Sequence, residues 1–338
     1  MKTLQEKIFD AILNRFEKKS DAVAKLSSLL NVGKDAVYRR LRGDTIVTPD
    51  EITLLAQEFN LSLDGLIHDQ SHLVFFSFNP FANRIKNFDD YLDSTIKDLS
   101  VIAGRSDGKL LYCSTEIPIF LIGFFPELIS FNLYIWGKTA FSFDYLNDIP
   151  FSFDIIPPSA KDKYSDLVDL YLKVPSVELW GLDLIGNTLK QVETYTMTDK
   201  FANQEIPFIL LDRLVELFTH IKKMAKLGKK FKPFSEPNVH SVDYELYHNE
   251  MIHMKNTVIG QTANGLGVYS SFGNPNYLKT YDPNVTSYVY DWFEKIKAKS
   301  NPMGQIEERN LDKVFNRILK KIENTRAKIK VHLDTDLD

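Results

Sequence analysis

Cysteine is almost absent from this 338-residue chain, and its scarcity excludes several kinds of site. Cys113 is the only cysteine, so the chain has no intrachain disulfide and no metal site built from several cysteines. A lone cysteine is usual in a reducing compartment, and we expect a cytoplasmic protein. A glycine-rich phosphate loop and a nucleophile elbow are also missing. We therefore expect no catalytic residue set, no cofactor and no metal centre, and we do not expect an enzyme.

Positive charge is not in excess either, because the formal net charge is -4. A protein that binds polyanions over its whole surface carries a positive excess, so any nucleic-acid site must be local. Residues 117–137 are long enough to cross a bilayer, but Pro118, Pro126 and Glu127 interrupt them. We expect strand and helix pieces of a buried core here, and no membrane partner.

Glycine and proline are few, with 15 and 14 residues respectively, while 44% of the chain is hydrophobic. Such a composition is typical of a folded protein rather than a disordered one. The length exceeds that over which a single hydrophobic core usually extends. Two or three domains are therefore expected.

The first forty residues have the pattern of three short helices. Apolar residues at every fourth position predict the first: Leu4, Ile8, Ile12 and Phe16. Ser20 is expected to cap the second helix, and Asn31 is expected to end it in the left-handed backbone conformation. A third helix is predicted from Lys34 to Arg42, ended by Gly43.

One face of this third helix is basic. At about 100° per residue, Val37 and Leu41 define the buried side, and Asp35, Arg39 and Arg42 lie opposite to it. Tyr38 lies on the flank, and Lys34 stands at the helix start. From position 15 to position 42 there are eight basic and three acidic residues, a local balance of +5. The exposed side of the helix is thus suited to DNA.

A fourth helix is predicted by a capping box. Thr48 is its expected N-cap, Pro49 its first residue and Glu51 its third. Residues 62–66 then begin one more short helix. The N-terminal region is therefore expected to be an all-α domain of five helices.

The sequence LSSLLNVG at residues 26–33, followed by AVYRRLRG at residues 36–43, resembles the helix-turn-helix of the Cro and lambda-repressor family. Residues 55–56 and 59–66 resemble the last two helices of that family. Three positions differ from the usual pattern, with Ser27 in place of Ala, Asn31 in place of Gly and Gly33 in place of a capping Ser. All three substitutes are small or compatible with a turn. The resemblance covers about a fifth of the chain.

This resemblance implies that the third helix enters the major groove of double-stranded DNA, with the second helix starting against a phosphate. The matching positions for base contacts and their flanks are Lys34, Asp35, Tyr38 and Arg39. The matching positions for backbone contacts are Lys19, Ser20 and Arg42. One such helix reads only a few base pairs, so a homodimer on a two-fold-related site is expected.

The remainder of the chain predicts a larger α+β domain. Its boundary is placed near residues 68–72, which gives a DNA-binding domain at 1–69 and a regulatory or dimerisation domain at 70–338. Predicted strands are residues 74–78, 109–114, 240–247, 256–261 and 266–271, with a tight hairpin turn at Asn264-Gly265. Predicted helices are residues 88–103, 164–173, 206–227, 287–299 and 306–328.

Three features of this region each allow a functional and a structural interpretation. His248, Glu250 and His253 suggest a metal site, but their spacing differs from that of zinc proteases, and a polar strand end is favoured. A lysine cluster could touch DNA or simply complement a helix dipole in water, and the second is favoured: Lys222, Lys223, Lys226, Lys229, Lys230 and Lys232. A run of aromatic residues could line a ligand pocket, although core packing is favoured: Phe120, Phe124, Phe125, Phe131, Tyr134, Trp136, Phe141 and Phe143.

The function expected from the sequence is that of a sequence-specific DNA-binding transcriptional regulator. Its C-terminal region is expected to sense a small molecule or a protein, to dimerise, or both. The alternative is an enzyme in the C-terminal region that the DNA-binding module delivers to DNA.

Overall fold

The fold is described from a computed structural model of the chain. It describes residues 2–16, 18–59, 61, 63–67, 74–78, 85–181, 183–251, 255–273, 275–304 and 307–335. The expected domain boundary at residues 68–72, together with Ser62 and His253, lies outside the described residues.

The N-terminal region is helical. Its helices are α1 (Leu4–Leu13), α2 (Lys19–Leu30), α3 (Lys34–Leu41), α4 (Pro49–Glu58) and α5 (Leu63–Ile67). Their apolar stripes meet in one core, in which Ile12, Leu26, Val37 and Leu55 are fully buried. Each helix is too short to be stable alone, so this shared core supplies most of their stability.

Capping of these helices follows the sequence at two of three expected places. The box of Thr48 and Glu51 is present at α4, and Asn31 ends α2 at φ 51° and ψ 46°. The predicted cap of α2 is wrong, because Lys18 is its N-cap and Ser20 lies inside the helix, with its hydroxyl donating to Asp21 Oδ1 at 3.1 Å. Since an N-cap residue has non-helical backbone angles, a residue inside the helix cannot take that role.

The C-terminal region is an α+β domain. Its helices are α6 (Phe88–Ala103), α7 (Ile119–Ile122), α8 (Pro126–Thr139), α9 (Pro158–Tyr171), α10 (Gly186–Met197), α11 (Ile206–Leu227), α12 (Pro283–Lys297) and α13 (Glu308–Thr335). Its strands are β1 (Ser77–Phe78), β2 (Lys109–Ser114), β3 (Ser176–Trp180), β4 (Tyr244–His248), β5 (Thr257–Thr262), β6 (Gly265–Ser271), β7 (Tyr277–Thr280) and β8 (Asn301–Pro302).

These strands form one mixed eight-stranded sheet with the order β1-β7-β6-β5-β2-β3-β4-β8. Strands β2, β3 and β4 are parallel, and the other neighbouring pairs are antiparallel. The predicted hairpin joins β5 to β6, where Thr262 pairs with Gly265 at a φ of 127°. A glycine suits this turn because side chains disfavour positive φ.

Alternate residues of the central strands face two different cores. In β2, Leu110 and Tyr112 belong to the larger core under most of the helices, whereas Leu111 and Cys113 belong to a smaller core. Phe293 of α12 packs in the smaller core. Since side chains alternate along a strand, the sheet is covered on both faces.

Residues 117–137 lie inside the larger core, as the sequence predicted, although they form helices α7 and α8 without a strand. Among the described helices, none combines the length and the apolar character that a bilayer crossing requires.

Candidate nucleic-acid interface and C-terminal cavity

Helix α3 presents a polar side to the surface and an apolar side to the core. Val37 is fully buried, and Leu41 is half-buried against the same core. Lys34, Asp35 and Arg39 are exposed. This division agrees with the helical angles, because residues two or five positions from Val37 point away from it.

The turn between α2 and α3 fixes the orientation of α3 relative to α2. Asn31 adopts the left-handed conformation, and the N–H of Val32 donates to Ser27 O at 3.1 Å. The Ser27 hydroxyl donates to Val32 O at 2.6 Å, a bond that alanine could not make. Val32 itself packs against the core. Two of the departures from the family pattern thus take part in the turn.

The structure places all of the expected DNA-contacting residues at the surface. They are Lys19, Ser20, Lys34, Asp35, Tyr38, Arg39 and Arg42. Lys19 is the first residue of α2, and Arg42 is the C-cap of α3. Arg42 Nε donates to Asp44 Oδ2 at 2.8 Å in an exposed pair. Among the described residues, no acidic group forms an ion pair with Lys19, Lys34 or Arg39.

Part of the local basic charge serves the fold. Arg40 pairs with Glu51, Lys25 pairs with Glu58, and Arg15 donates to a backbone carbonyl at the end of α4. Desolvation lowers the pKa of Arg15. Arg40 therefore points away from the exposed surface on which Arg39 lies, although the two residues are adjacent in the sequence.

The lysine cluster at the end of α11 is largely solvated, as the sequence favoured, with five of its side chains 31–59% exposed. Five of its members pair with acidic residues of the same chain, namely Lys222 with Asp312, Lys223 with Glu236, Lys226 with Glu308, Lys229 with Asp243 and Lys232 with Asp169. The sixth, Lys230, is buried and donates to Val174 O at 2.7 Å. Acidic residues of the same chain thus neutralise a cluster that is basic when only the local sequence is considered.

The histidine at the end of β4 lies beside a carboxylate that forms an ion pair within the protein. His248 is buried, and its Nδ1 lies 3.9 Å from Glu250 Oε1. The same carboxylate accepts from Arg317 at 2.7 Å. Among the described residues, no group of three potential ligands is arranged for a metal ion.

A cavity of about 150 Å³ lies in the α+β domain beside the carboxyl end of β2. Helix α6 lines it with a single face, from Tyr91 and Thr95 to Leu99 and Ile102. Strands β5, β6 and β7 line the opposite side, and helices α8 and α10 close it. Phe120 and Trp136, two of the aromatic residues identified in the sequence, lie in this wall. The others pack in or against the larger core.

Two carboxylates lie at different places in the cavity wall, and each accepts hydrogen bonds. Asn187 Nδ2 donates to Glu116 Oε1 at 3.3 Å, and burial raises the pKa of Glu116 against the opposing effect of that bond. At the other place, Asp98 accepts from the Tyr277 hydroxyl at 2.8 Å and from Lys279 at 2.9 Å. Burial, followed by the charge of Asp98, raises the pKa of Tyr277, so this phenol stays protonated.

Sequence reasoning missed the part of this wall that α10 supplies, because that helix was not predicted. The signal was present in part, since Asn187 and Gln191 are four residues apart and therefore share one side of a helix. Both line the cavity.

Comparison of the chain with protein-family models, with curated proteins and with solved structures finds no match. The function must therefore be argued from the two sites themselves.

Proposed function

We propose that this chain is a sequence-specific DNA-binding regulator of transcription, in which α3 enters the major groove and the α+β domain senses a signal, dimerises, or both. The observation that carries the proposal is the division of α3. Val37 is fully buried, while Lys34 and Arg39 are exposed and form no ion pair with a described acidic residue.

Each exposed group has a role that its chemistry allows. Arg39 and Lys34 carry donors that match the N7 and O6 acceptors of guanine in the major groove. Lys19 and Arg42 are placed to neutralise phosphates, which releases counterions and makes affinity fall with salt. Arg42 must give up Asp44 to do so, and an exposed pair of this kind is worth little.

The proposal is tested by selecting bound sequences from a random duplex pool with the full chain. A short site of two related halves is expected, with centres about 34 Å apart. Arg39→Ala should raise the Kd for the selected site by roughly 10- to 100-fold and relax the base preference. Arg42→Ala should weaken binding to all sequences alike. It should also reduce the slope of log affinity against log salt concentration by about one for each half-site.

A matched control removes the same charge elsewhere. The double variant Lys222→Ala/Lys226→Ala changes two lysines that pair with Asp312 and Glu308. It should bind the selected site as the unaltered chain does. If Arg39→Ala/Arg42→Ala also keeps full affinity, or if no sequence is enriched, the proposal is wrong.

A further inference from the structure

The loop between α3 and α4 begins at a residue proposed to contact a DNA phosphate. Arg42 is the C-cap of α3, and the loop runs from it to Thr48, the N-cap of α4. Its residues form turns and bends but no helix or strand. The backbone groups of such a loop need partners from other parts of the chain, because a polar group without a partner is costly once it leaves water.

One side chain of α1 bonds to the backbone at three places in and beside this loop. Gln5 Nε2 donates to Arg40 O at 2.8 Å and to Thr45 O at 2.9 Å. Gln5 Oε1 accepts from the Val47 N–H at 2.9 Å. Both amide hydrogens and the amide oxygen are therefore used within the protein, and the side chain is half-buried.

The partners of the Gln5 amide also define its orientation. Two carbonyl oxygens require the donating end of an amide, and an N–H requires the accepting end, so a reversed amide would lose all three bonds. Val47 is 4% exposed and anchors the end of the loop in the core, whereas Ile46 is 82% exposed and gives no such anchor. Gln5 thus fixes the backbone on both sides of Ile46.

The position of Arg42 depends on this backbone. Its side chain is exposed, and its ion pair is with Asp44, a residue of the same loop. That pair therefore does not tie the loop to another helix. The two bonds from Gln5 Nε2, to the carbonyls of Arg40 and Thr45, lie on either side of the segment that holds Arg42 and Asp44. The amide thus joins both ends of this segment to α1.

From these contacts we infer that Gln5 is a positioning residue for DNA binding. It holds the loop after α3 so that Arg42 meets a phosphate, and it does not contact DNA itself. A loop that is not fixed beforehand must be ordered when it binds, and that entropic cost reduces affinity. The inference rests on the proposed function and adds to it a residue outside α2 and α3.

The first test needs no DNA. In the full chain, Gln5→Met keeps the side-chain length and the tendency to form a helix, and it removes all three bonds. Hydrogen exchange at the Val47 amide should become at least tenfold faster, and the amides of α2 should change less than Val47 does, because the loss is local. Unchanged exchange at Val47 would overturn the inference, whatever the chain binds.

The second test measures the Kd for the selected duplex at several salt concentrations. Gln5→Met should raise the Kd by about 3- to 10-fold, because Arg42 then contributes less. It should also reduce the slope of log affinity against log salt concentration, as Arg42→Ala does. The base preference should stay the same, since Lys34 and Arg39 lie outside the loop. A lower affinity with an unchanged salt slope would overturn the inference.

A double-mutant cycle separates positioning from general stability. In the Arg42→Ala background, Gln5→Met should change the Kd by less than about twofold, because the side chain that Gln5 positions is gone. All variants are compared at a temperature at which circular dichroism shows them folded. If the two effects on Kd multiply in full, Gln5 acts independently of Arg42 and the inference is wrong. If the unaltered chain selects no sequence, the proposed function fails, and hydrogen exchange alone decides whether Gln5 holds the loop.

Two further variants complete the design. Gln5→Asn keeps the amide but is shorter by one methylene, so it should show the same pattern, and it takes the place of Gln5→Met if that variant does not fold. The matched control is Gln57→Met, which replaces an exposed glutamine of α4. It should leave both the exchange of the Val47 amide and the Kd unchanged. An equal effect of Gln57→Met would overturn the role assigned to Gln5.

Discussion

The guanidinium of Arg40 lies 2.8 Å from the carboxylate of Glu51, and this ion pair ties α3 to α4. Both side chains are less than one-fifth exposed. Burial raises the pKa of Glu51, but the Thr48 N–H and the Arg40 guanidinium outweigh it, and the pKa is lowered overall. Of two adjacent arginines, one therefore stabilises the helical module, and the other is left exposed at the surface proposed for DNA.

Replacing these two arginines should separate stability from binding. Arg40→Ala leaves the Glu51 carboxylate half-buried without its charged donor, so the free energy of unfolding should fall by about 1–2 kcal/mol. Arg39→Ala should change it by less than about 0.5 kcal/mol, because that side chain is exposed. Urea denaturation followed by circular dichroism measures both. Equal losses in the two variants would contradict the different roles assigned to them.

The left-handed residue between α2 and α3 provides a second test. Asn31→Ala should destabilise the turn by about 1 kcal/mol, because alanine disfavours positive φ, whereas Asn31→Gly should cost less. Hydrogen exchange of the amides of α2 and α3 reports this local stability. Faster exchange in the glycine variant than in the alanine variant would show that φ at this position is not the cause.

A buried polar network beside β3 is expected to tolerate the loss of both charges better than the loss of one. Glu178 accepts from Tyr171 and from Trp180 Nε1, and Lys230 lies 3.3 Å from the Tyr171 ring centre. Desolvation raises the pKa of Glu178 and lowers that of Lys230, and their mutual attraction opposes both shifts.

Lys230→Met should lower the free energy of unfolding by about 3–5 kcal/mol, because it leaves the buried Glu178 without a cation. The double variant with Glu178→Gln should lose clearly less than the sum of the two single losses. A double-mutant cycle in urea gives the coupling energy. Strict additivity would mean that the two groups do not interact.

A buried histidine should make stability depend on pH. His220 Nε2 lies 2.8 Å from Phe231 O, and desolvation lowers the pKa of the imidazole, against the opposing effect of that hydrogen bond. In the unfolded chain a histidine titrates near a pKa of about 6.5. As the pH falls through that value, the unfolded state takes up a proton that the folded state resists, so stability decreases.

His220→Gln keeps a donor for Phe231 O and does not titrate, so it should reduce the loss of stability between pH 7.5 and pH 5. The pKa of His248 is also lowered by burial, so part of the dependence of stability on pH should persist until both histidines are replaced. Urea midpoints at several pH values measure it. A slope unaffected by His220→Gln would show that this histidine does not contribute.

Much of the secondary structure could be predicted from local sequence. The bounds of α6, β2 and α11 agree with the predicted ranges, because each has a regular apolar pattern between clear turn signals. Strand β3 was missed, since Glu178 interrupts its apolar run. That carboxylate is satisfied by Tyr171 and Tyr244, which come from other elements. A charge with distant partners cannot be recognised as buried from its neighbours in sequence.

The predicted strand at residues 74–78 was largely wrong, because only Ser77 and Phe78 form strand β1. Its aromatic residues favour a strand locally. The extent of a strand, however, is set by the partner that it pairs with, and here β7 offers register partners to only two residues.

The sequence by itself determined the features that depend on neighbours within one helical turn: the capping box of Thr48, the left-handed Asn31 and the side of α3 on which Arg39 lies. Tertiary structure alone decided that Arg40 turns toward Glu51, that acidic partners neutralise the α11 lysines, and that Asn132 meets Tyr91 and Val258 at one cavity. The physical reason is range. Backbone geometry and capping bonds act between adjacent residues, whereas ion pairs and cavity walls join residues that only the packed chain brings together.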